Sequence, residues 1–179
     1  MNARRYSLQK QRGVSLVEVL IAVLIFSLGM IGLGGLLIFA TQSNHVAFLR
    51  TQVTFLAHNM ADRMSANPIG VWSGAYNNLN YPLGVSQDCS TGCTPADLAV
   101  HDQEIWSSQL KTFLPDNADL KATIDCDTTG ITYTPPSGQL SLRPPYGGTC
   151  RMKITWDEHG NGDTRTATQK QTFAWKFQP

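Results

Sequence analysis

The sequence predicts an α+β fold in which a long N-terminal helix packs on a C-terminal head built around an antiparallel β-sheet. Three features lead to this prediction: an apolar run near the N-terminus, an apolar stripe at helical spacing beyond it, and two segments of alternating polarity near the C-terminus. The chain has 179 residues, of which 15% are charged and 42% are hydrophobic. This length suits one ordinary domain, and this composition excludes a disordered acidic or polybasic protein.

The apolar run spans residues 19–40, which are 22 consecutive residues without a charge. As a helix it rises about 33 Å, close to the roughly 30 Å hydrocarbon core of a bilayer, and it is too long for a conventional secretory signal. Residues 1–13 contain four basic residues and no acid, whereas residues 13–49 contain no Lys or Arg. This asymmetry predicts a single-pass anchor with a cytoplasmic N-terminus and an exported remainder, and it argues against a freely soluble cytosolic protein.

The helical pattern continues past the apolar run. An apolar stripe recurs at spacings of three and four residues, formed by Leu49, Val53, Leu56, Met60 and Met64. The helix should end near Ala66, because Asn67 precedes Pro68 and is driven out of helical geometry. We therefore expect a membrane and assembly half over residues 14–40, an amphipathic half that packs on the head over 41–66, and a globular head over 67–179.

The head begins with residues 68–94, which are rich in Gly, Asn, Ser and Pro and predict an ordered surface loop region. Thr94, Pro95 and Asp97 then provide a capping hydroxyl, a proline at the first helical position and an acid in the first turn. We expect this helix to run to Phe113 and to bury five apolar side chains: Leu98, Ile105, Trp106, Leu110 and Phe113.

Four segments of the head are predicted strands. Residues 122–126 and 130–133 form two short candidates joined by a turn. The clearest strand is 150–156, where Met152, Ile154 and Trp156 face one side. A polar turn over 157–163 then leads to a strand that places Phe173, Trp175 and Phe177 on one face.

Glu18 is a carboxylate at the mouth of the apolar run, where a charge is costly without a partner. One interpretation places it in the lipid headgroup zone, where it interacts favourably with the helix N-terminus. The other follows from the surrounding residues. Residues 10–22 (KQRGVSLVEVLIA) resemble the class III signal of type IV prepilins, which has a basic leader ending in Gly and a Glu at the fifth residue of the following apolar segment.

The resemblance implies that a prepilin peptidase cuts between Gly13 and Val14 on the cytoplasmic side and then N-methylates Val14. The chain departs from the family at this point, because the first mature residue is usually Phe, so the expectation of cleavage is stronger than that of methylation. After cleavage the α-amino group of Val14 would be a cation in a low dielectric. Glu18 of the same or a neighbouring subunit is then its natural counter-ion in assembly, because the pair is tolerated where either charge alone is not.

Segments of the head resemble the PilV family of minor type IV pilins: residues 61–68 (ADRMSANP), 96–99 (ADLA) with Asp102 and Trp106, Leu114-Pro115, and the strand ending at Trp156. The resemblance implies a type IV pilin-like fold. It also implies a non-enzymatic protein that primes or caps the pilus with other minor pilins and the major pilin, and that supports adhesion and twitching motility. Prepilin peptidase and an inner-membrane assembly platform are further implied partners, with the inner membrane as the location before assembly and the pilus at the cell surface afterwards.

The four cysteines all follow the apolar run, and an even number in an exported domain suggests disulfides with three possible connectivities. We favour Cys89 with Cys93 and Cys126 with Cys150. The second pair closes a loop of about 25 residues, for which the chain-entropy model gives about 3 kcal/mol. A metal site is the competing interpretation, but no second cysteine pair matches the first, and His101 and His159 fall on different elements.

Other candidate chemistry is weak. The turn over residues 157–163 superficially resembles a calcium loop, but Thr168 stands where a bidentate acid is expected. We expect Asp125 and Asp127 to face opposite sides of a strand, and no catalytic motif or cofactor signature occurs. Residues 14–179 have a net charge of −3 and scattered basic residues, so nucleic acid is not an expected partner. The alternatives to a minor pilin are a minor pseudopilin of a type II secretion system and a membrane-tethered periplasmic enzyme or binding protein.

Overall fold

The computed structural model describes residues 13–159 and 168–179 of the chain. Its elements in chain order are α1 (Leu16–Ala66), α2 (Pro68–Trp72), β1 (Asn78–Tyr81), α3 (Pro95–Phe113), β2 (Lys121–Asp127), a 3-10 helix (Ser137–Leu142), β3 (Thr149–His159) and β4 (Thr168–Phe177). The expected α+β, pilin-like architecture of a long N-terminal helix and a small antiparallel sheet is confirmed. The chain forms two compact units, and the boundary between them along the sequence lies between Gln42 and Ser43.

The first unit consists, in its described part, of the apolar segment of α1. Its large hydrophobic side chains between Val14 and Phe39 are 51–76% exposed. By length and composition this helix could cross a membrane, as the uncharged run predicts. Side chains this apolar need lipid or another protein around them, since water is an unfavourable environment for so much contiguous apolar surface.

The second unit is the head, and the second half of α1 supplies its central helix. The predicted stripe of α1 is buried at every position: Leu49, Val53, Leu56, Met60 and Met64 are each at most 4% exposed. The other face of this half is exposed, and it includes Arg50 and Asp62. The prediction of an amphipathic half that packs on the head is therefore confirmed for these residues.

The sheet has the strand order β1-β2-β3-β4, and every neighbouring pair is antiparallel. Because strand side chains alternate, one face carries the buried Ala122 and Ile124 of β2 with Met152 and Ile154 of β3. The same face of β4 carries Phe173, Trp175 and Phe177 at register positions opposite β3, as expected from the alternating sequence. The other face is polar.

Helix α3 starts as the sequence predicts. The Thr94 hydroxyl accepts a hydrogen bond from the backbone N–H of Asp97 at 3.2 Å, and Pro95 occupies the first turn. Trp106 is fully buried and donates from Nε1 to the Leu56 carbonyl of α1 at 2.9 Å, which fixes α3 against the central helix. The helix ends at Phe113 as predicted, and Trp106 and Leu110 are buried. The predicted burial of Phe113 is wrong, because it is 40% exposed, and Leu98 and Ile105 are only half-buried.

Three local predictions need correction. The region predicted as a surface loop contains α2 and β1. Residues 130–133 do not form a strand: the chain turns at Gly130, where φ is +88°, and both sides of β2 are already occupied by β1 and β3. The predicted turn at residue 157 begins too early, since β3 continues to His159; residues 160–163 of that turn lie outside the described residues.

Candidate functional site

The predicted processing site lies at the start of the described chain. Gly13 and Val14 precede α1, and both are exposed. Ser15 caps the helix, because its hydroxyl accepts a hydrogen bond from the backbone N–H of Glu18 at 3.2 Å and its carbonyl accepts one from the same group at 3.1 Å. The basic leader over residues 1–12 lies outside the described residues.

Glu18 occupies the first turn of α1, and its side chain is exposed. It lies on the same side of the helix as Val14, Ala22 and Phe26, so its carboxylate is near the N-terminal end of an apolar stripe. No ion pair of Glu18 occurs among residues 13–159 and 168–179. Its position suits an interaction with the helix N-terminus, and it also leaves the carboxylate accessible to a cation from a neighbouring chain. Both interpretations of Glu18 therefore stay predictions.

A polar cluster, here called the helix-end clamp, joins the half-buried Arg63 to the buried Asn67, Tyr76 and Asp102. Arg63 donates from Nη1 to one Asp102 oxygen at 2.9 Å, and the Tyr76 hydroxyl donates to the other at 2.6 Å. Asn67 donates from Nδ2 to the Tyr76 hydroxyl at 3.1 Å and to the Pro95 carbonyl at 2.7 Å. The clamp thereby connects the end of α1 with the start of α3.

The clamp also sets the start of α2, because the Asn67 side-chain oxygen accepts from the Gly70 N–H at 3.2 Å. Tyr76 is fully buried and Asp102 is 5% exposed. Burial, followed by the hydrogen bond to Asp102, raises the pKa of Tyr76 above its ordinary value. The hydrogen bonds of these side chains are thus made within the protein, as is usual for buried polar groups, and they tie α1, α2 and α3 together.

The structure contains two disulfides, Cys89–Cys93 and Cys126–Cys150, which are the pairs that the sequence analysis favours. They differ in their setting. Cys126 and Cys150 are register partners on β2 and β3, and Cys150 is fully buried in the core. Cys89 and Cys93 are half-buried in the loop that leads to α3. With all four cysteines bonded, none is left to ligate a metal.

The remaining candidate ligands do not converge. Within the described ranges there is no group of three or more His, Cys, Asp or Glu that could hold a metal ion. The His101 Nδ1 atom lies 2.7 Å from the Gln87 carbonyl oxygen, while the side chain of His159 lies outside the described residues. The expectation for Asp125 and Asp127 is wrong: residues two apart in a strand share a face, and both are exposed on the polar face of β2.

The polar face of the sheet collects basic residues that are scattered in the sequence. Lys121, Arg151, Lys153, Lys170 and Lys176 share this face through the strand register. Carboxylates are interleaved with them. The Lys170 ammonium lies 2.5 Å from Asp119 and lowers the pKa of that carboxyl, and Arg151 lies 3.9 Å from Asp125. The face is therefore a mixed surface rather than a uniformly basic one.

Sequence reasoning missed the clamp as a unit. Its members span residues 63–102, and only the three-dimensional fold brings them together. One signal was present: Asn67 followed by Pro68 has the same form as Thr94 followed by Pro95, a capping side chain before a proline at the first helical position. Asn67 ends α1, as the sequence predicts, and it also begins α2.

Residues 8–34 match the family model described as the prokaryotic N-terminal methylation motif. This stretch includes Gly13, Val14 and Glu18, and the motif is that of type IV prepilin-like proteins. It indicates a protein of the type IV pilin or pseudopilin type. Together with the apolar helix, it is consistent with anchoring in the inner membrane before assembly and implies partners from a pilus system in general. The comparisons with curated proteins and with solved structures found no match.

Proposed function

We propose that the chain is a minor type IV pilin of the PilV type, which associates with other minor pilins to prime or cap the pilus and so supports twitching motility and adhesion. The observation that carries the proposal is the position of Glu18, five residues into the chain that follows Gly13 and in the first turn of an apolar, membrane-length helix. The match to the methylation motif over residues 8–34 supports the same assignment. The head residues that resemble PilV support the minor-pilin subclass, which is a non-enzymatic, structural role.

The proposed mechanism of assembly follows from electrostatics. Cleavage after Gly13 creates an α-amino cation on Val14 at the edge of the hydrocarbon region. An ionised side chain costs about 2.5 to 3.5 kcal/mol at the centre of a membrane-spanning helix, and an unpaired carboxylate or ammonium group near the helix end carries part of that cost. Pairing Glu18 with the α-amino group of a neighbouring subunit offsets both costs, whereas each charge alone stays uncompensated. Glu18 then sets the axial register in which one subunit docks on another.

Mass spectrometry of the intact mature protein tests the processing. The expected mass is that of residues 14–179, with one added methyl group if Val14 is modified. A mature protein that retains residues 1–13 would contradict the pilin assignment and favour a membrane-tethered periplasmic protein. The disulfides do not interfere with this measurement, since they change the mass in a known way.

Substitution of Glu18 tests the counter-ion role. We expect Glu18→Ala and Glu18→Gln to be inserted and cleaved normally but to enter filaments or minor-pilin complexes poorly, because neither can neutralise the neighbouring cation. Ser15→Ala is the matched control, since it removes the capping hydroxyl of the same helix start but keeps the charge. Normal incorporation of Glu18→Ala, or an equal defect in Ser15→Ala, would refute the role.

A minor pseudopilin of a type II secretion system is the second candidate, because the methylation motif fits pseudopilins equally. A deletion strain separates the two. A minor pilin that primes assembly predicts far fewer surface filaments by electron microscopy with secretion intact. A pseudopilin predicts the reverse, with unchanged filaments and accumulation of secreted enzymes in the periplasm.

A further inference from the structure

The described sheet ends in a free edge at β4. This strand pairs with β3 on one side and with no described strand on the other. It has 10 residues, whereas the opposite edge strand β1 has 4 and pairs irregularly with β2. A long, regular edge presents a row of backbone N–H and C=O groups that another extended chain can pair with.

A groove runs between this edge and one flank of α1. It contains a hollow of about 300 Å³, lined by Arg50, Thr54, Trp156, Gln171, Thr172 and Phe173. One turn beyond Thr54, the ring of His58 lies 4.6 Å from that of Trp175, centroid to centroid. Phe173 and Trp175 are only half-buried, so the groove has an aromatic floor that the head itself does not cover.

The charges along the groove define what could occupy it. Five uncharged residues, 171–175, lie between Lys170 and Lys176 on β4. Arg50 is exposed at the hollow, and it makes no ion pair with any residue that the structure describes. The groove therefore favours an extended segment that is uncharged along β4 and carries one carboxylate, which it brings to the Arg50 guanidinium.

A second copy of this chain fits the edge poorly in the register that aligns the uncharged residues 171–175 of both copies. If two β4 strands paired antiparallel about Phe173, Lys170 of each copy would stand directly opposite Lys176 of the other. Like charges directly opposite on neighbouring strands are destabilising. The lysines thus act against self-pairing in the register that aligns the two uncharged stretches, and Arg50 favours a different partner that carries an acid.

We propose that an extended segment of a different protein chain adds as an extra strand to the free edge of β4 and places an acidic side chain in the hollow beside Arg50. Backbone hydrogen bonds provide the affinity in this arrangement, and the hollow provides the specificity. The inference uses only the head, so it does not depend on the processing or function of the N-terminal segment, and the two can fail separately.

Photo-crosslinking in the cells that naturally produce the chain tests the contact. The photoreactive residue p-benzoylphenylalanine replaces Ala174, which is exposed on the edge strand, or Thr123, which shares the same register row two strands away. We expect position 174, and not position 123, to cross-link to one continuous segment of another protein that includes Asp or Glu, identified by mass spectrometry of the cross-linked peptides. Cross-links to a second copy of this chain, or equal cross-links at both positions, would overturn the proposal, as would none at 174.

Filling the hollow tests the site itself. Thr54→Trp should reduce the cross-linked product at position 174 about tenfold, equivalent to ~1.4 kcal/mol of binding free energy. Thr51→Trp is the matched control, because both threonines are exposed on α1 and each donates to its i−4 carbonyl at 3.0 Å, but only Thr54 lines the hollow. Arg50→Glu, a change at an exposed residue, should give a similar loss. An undiminished product in both Thr54→Trp and Arg50→Glu would refute the groove as the binding site.

Hydrogen exchange distinguishes strand addition from a contact made by side chains alone. In the full-length chain in detergent micelles, half of the β4 amides should exchange quickly, because alternate N–H groups point away from β3. In the purified cross-linked complex these amides should become protected, whereas those of the opposite edge strand β1 should not change. Unchanged exchange in β4 within the complex would rule out the added strand.

Discussion

Removal of the Asp102 carboxylate is the sharpest test of the account given for the head. Asp102→Ala deletes the acceptor for Arg63 and for the Tyr76 hydroxyl, at 2.9 and 2.6 Å. A hydrogen bond to a charged group contributes about 1.5 to 3 kcal/mol, and a buried donor left without an acceptor costs about 1 to 3 kcal/mol. Arg63 recovers part of its loss, because its side chain is 26% exposed and water can reach it. Tyr76 is fully buried and recovers little.

We therefore expect Asp102→Ala to lower the free energy of unfolding of the head by about 3 kcal/mol, and Asp102→Asn, which keeps an acceptor for Tyr76, by about half as much. Urea unfolding of the full-length chain in non-ionic micelles measures this. Tryptophan fluorescence reports the head alone, since all four tryptophans lie between residues 72 and 175. Asp62→Ala, which removes an exposed acid from α1, should change stability by less than about 0.5 kcal/mol. A loss below about 1 kcal/mol for Asp102→Ala would refute the clamp.

Three further outcomes are expected from the same unfolding assay. Cys126→Ala combined with Cys150→Ala should lower the free energy of unfolding by about 3 kcal/mol, and removal of the Cys89–Cys93 disulfide should lower it by about 2 kcal/mol. The disulfide that closes the longer loop restricts the unfolded chain more, so the reverse order would contradict this. Burial raises the pKa of the two buried tyrosines, Tyr76 and Tyr81, so their contribution to the free energy of unfolding is complete below about pH 10 and is lost as the pH rises beyond it. A free energy of unfolding that stays constant from about pH 9 to about pH 12 would refute this. Gly148→Ala should destabilise by about 1 to 3 kcal/mol, since its Cβ would overlap a backbone carbonyl, whereas Gly138→Ala, with open space, should not.

The elements that sequence reasoning found are those with a strong local signal. The buried stripe of α1 repeats at helical spacing from Leu49 to Met64, and the Thr94-Pro95 pair marks the start of α3. Strands β3 and β4 alternate clearly because each has one face in the core. In these segments the local pattern and the tertiary packing agree, so the sequence alone is enough.

The elements that it missed depend on distant partners. β1 has only four residues and is defined by pairing with β2, more than 40 positions away. Residues 130–133 have strand-like composition but no free partner on β2. The clamp requires Arg63 and Asp102 to meet across 39 positions, and the groove requires α1 to lie beside β4. No pattern within a short stretch of a single sequence indicates such contacts.

The connection between β1 and α3 has a consequence for how this protein can evolve. At its start, Tyr81 is buried, and its hydroxyl donates to the Tyr76 carbonyl at 3.1 Å; at its end, the threonine cap and the Asn67 bond to Pro95 hold the first turn of α3. Of the intervening residues 83–93, Leu83 and Gln87 are held on α3 by hydrogen bonds to the Ser107, Glu104 and His101 side chains, whereas residues 84–86 and 90–92 are exposed. Doubling the length of such a loop costs only about 0.6 kcal/mol. Insertions and substitutions can therefore accumulate in the exposed part of this loop while the helices and the sheet keep their structure. Related chains can differ in this part of their surface and still share the same fold.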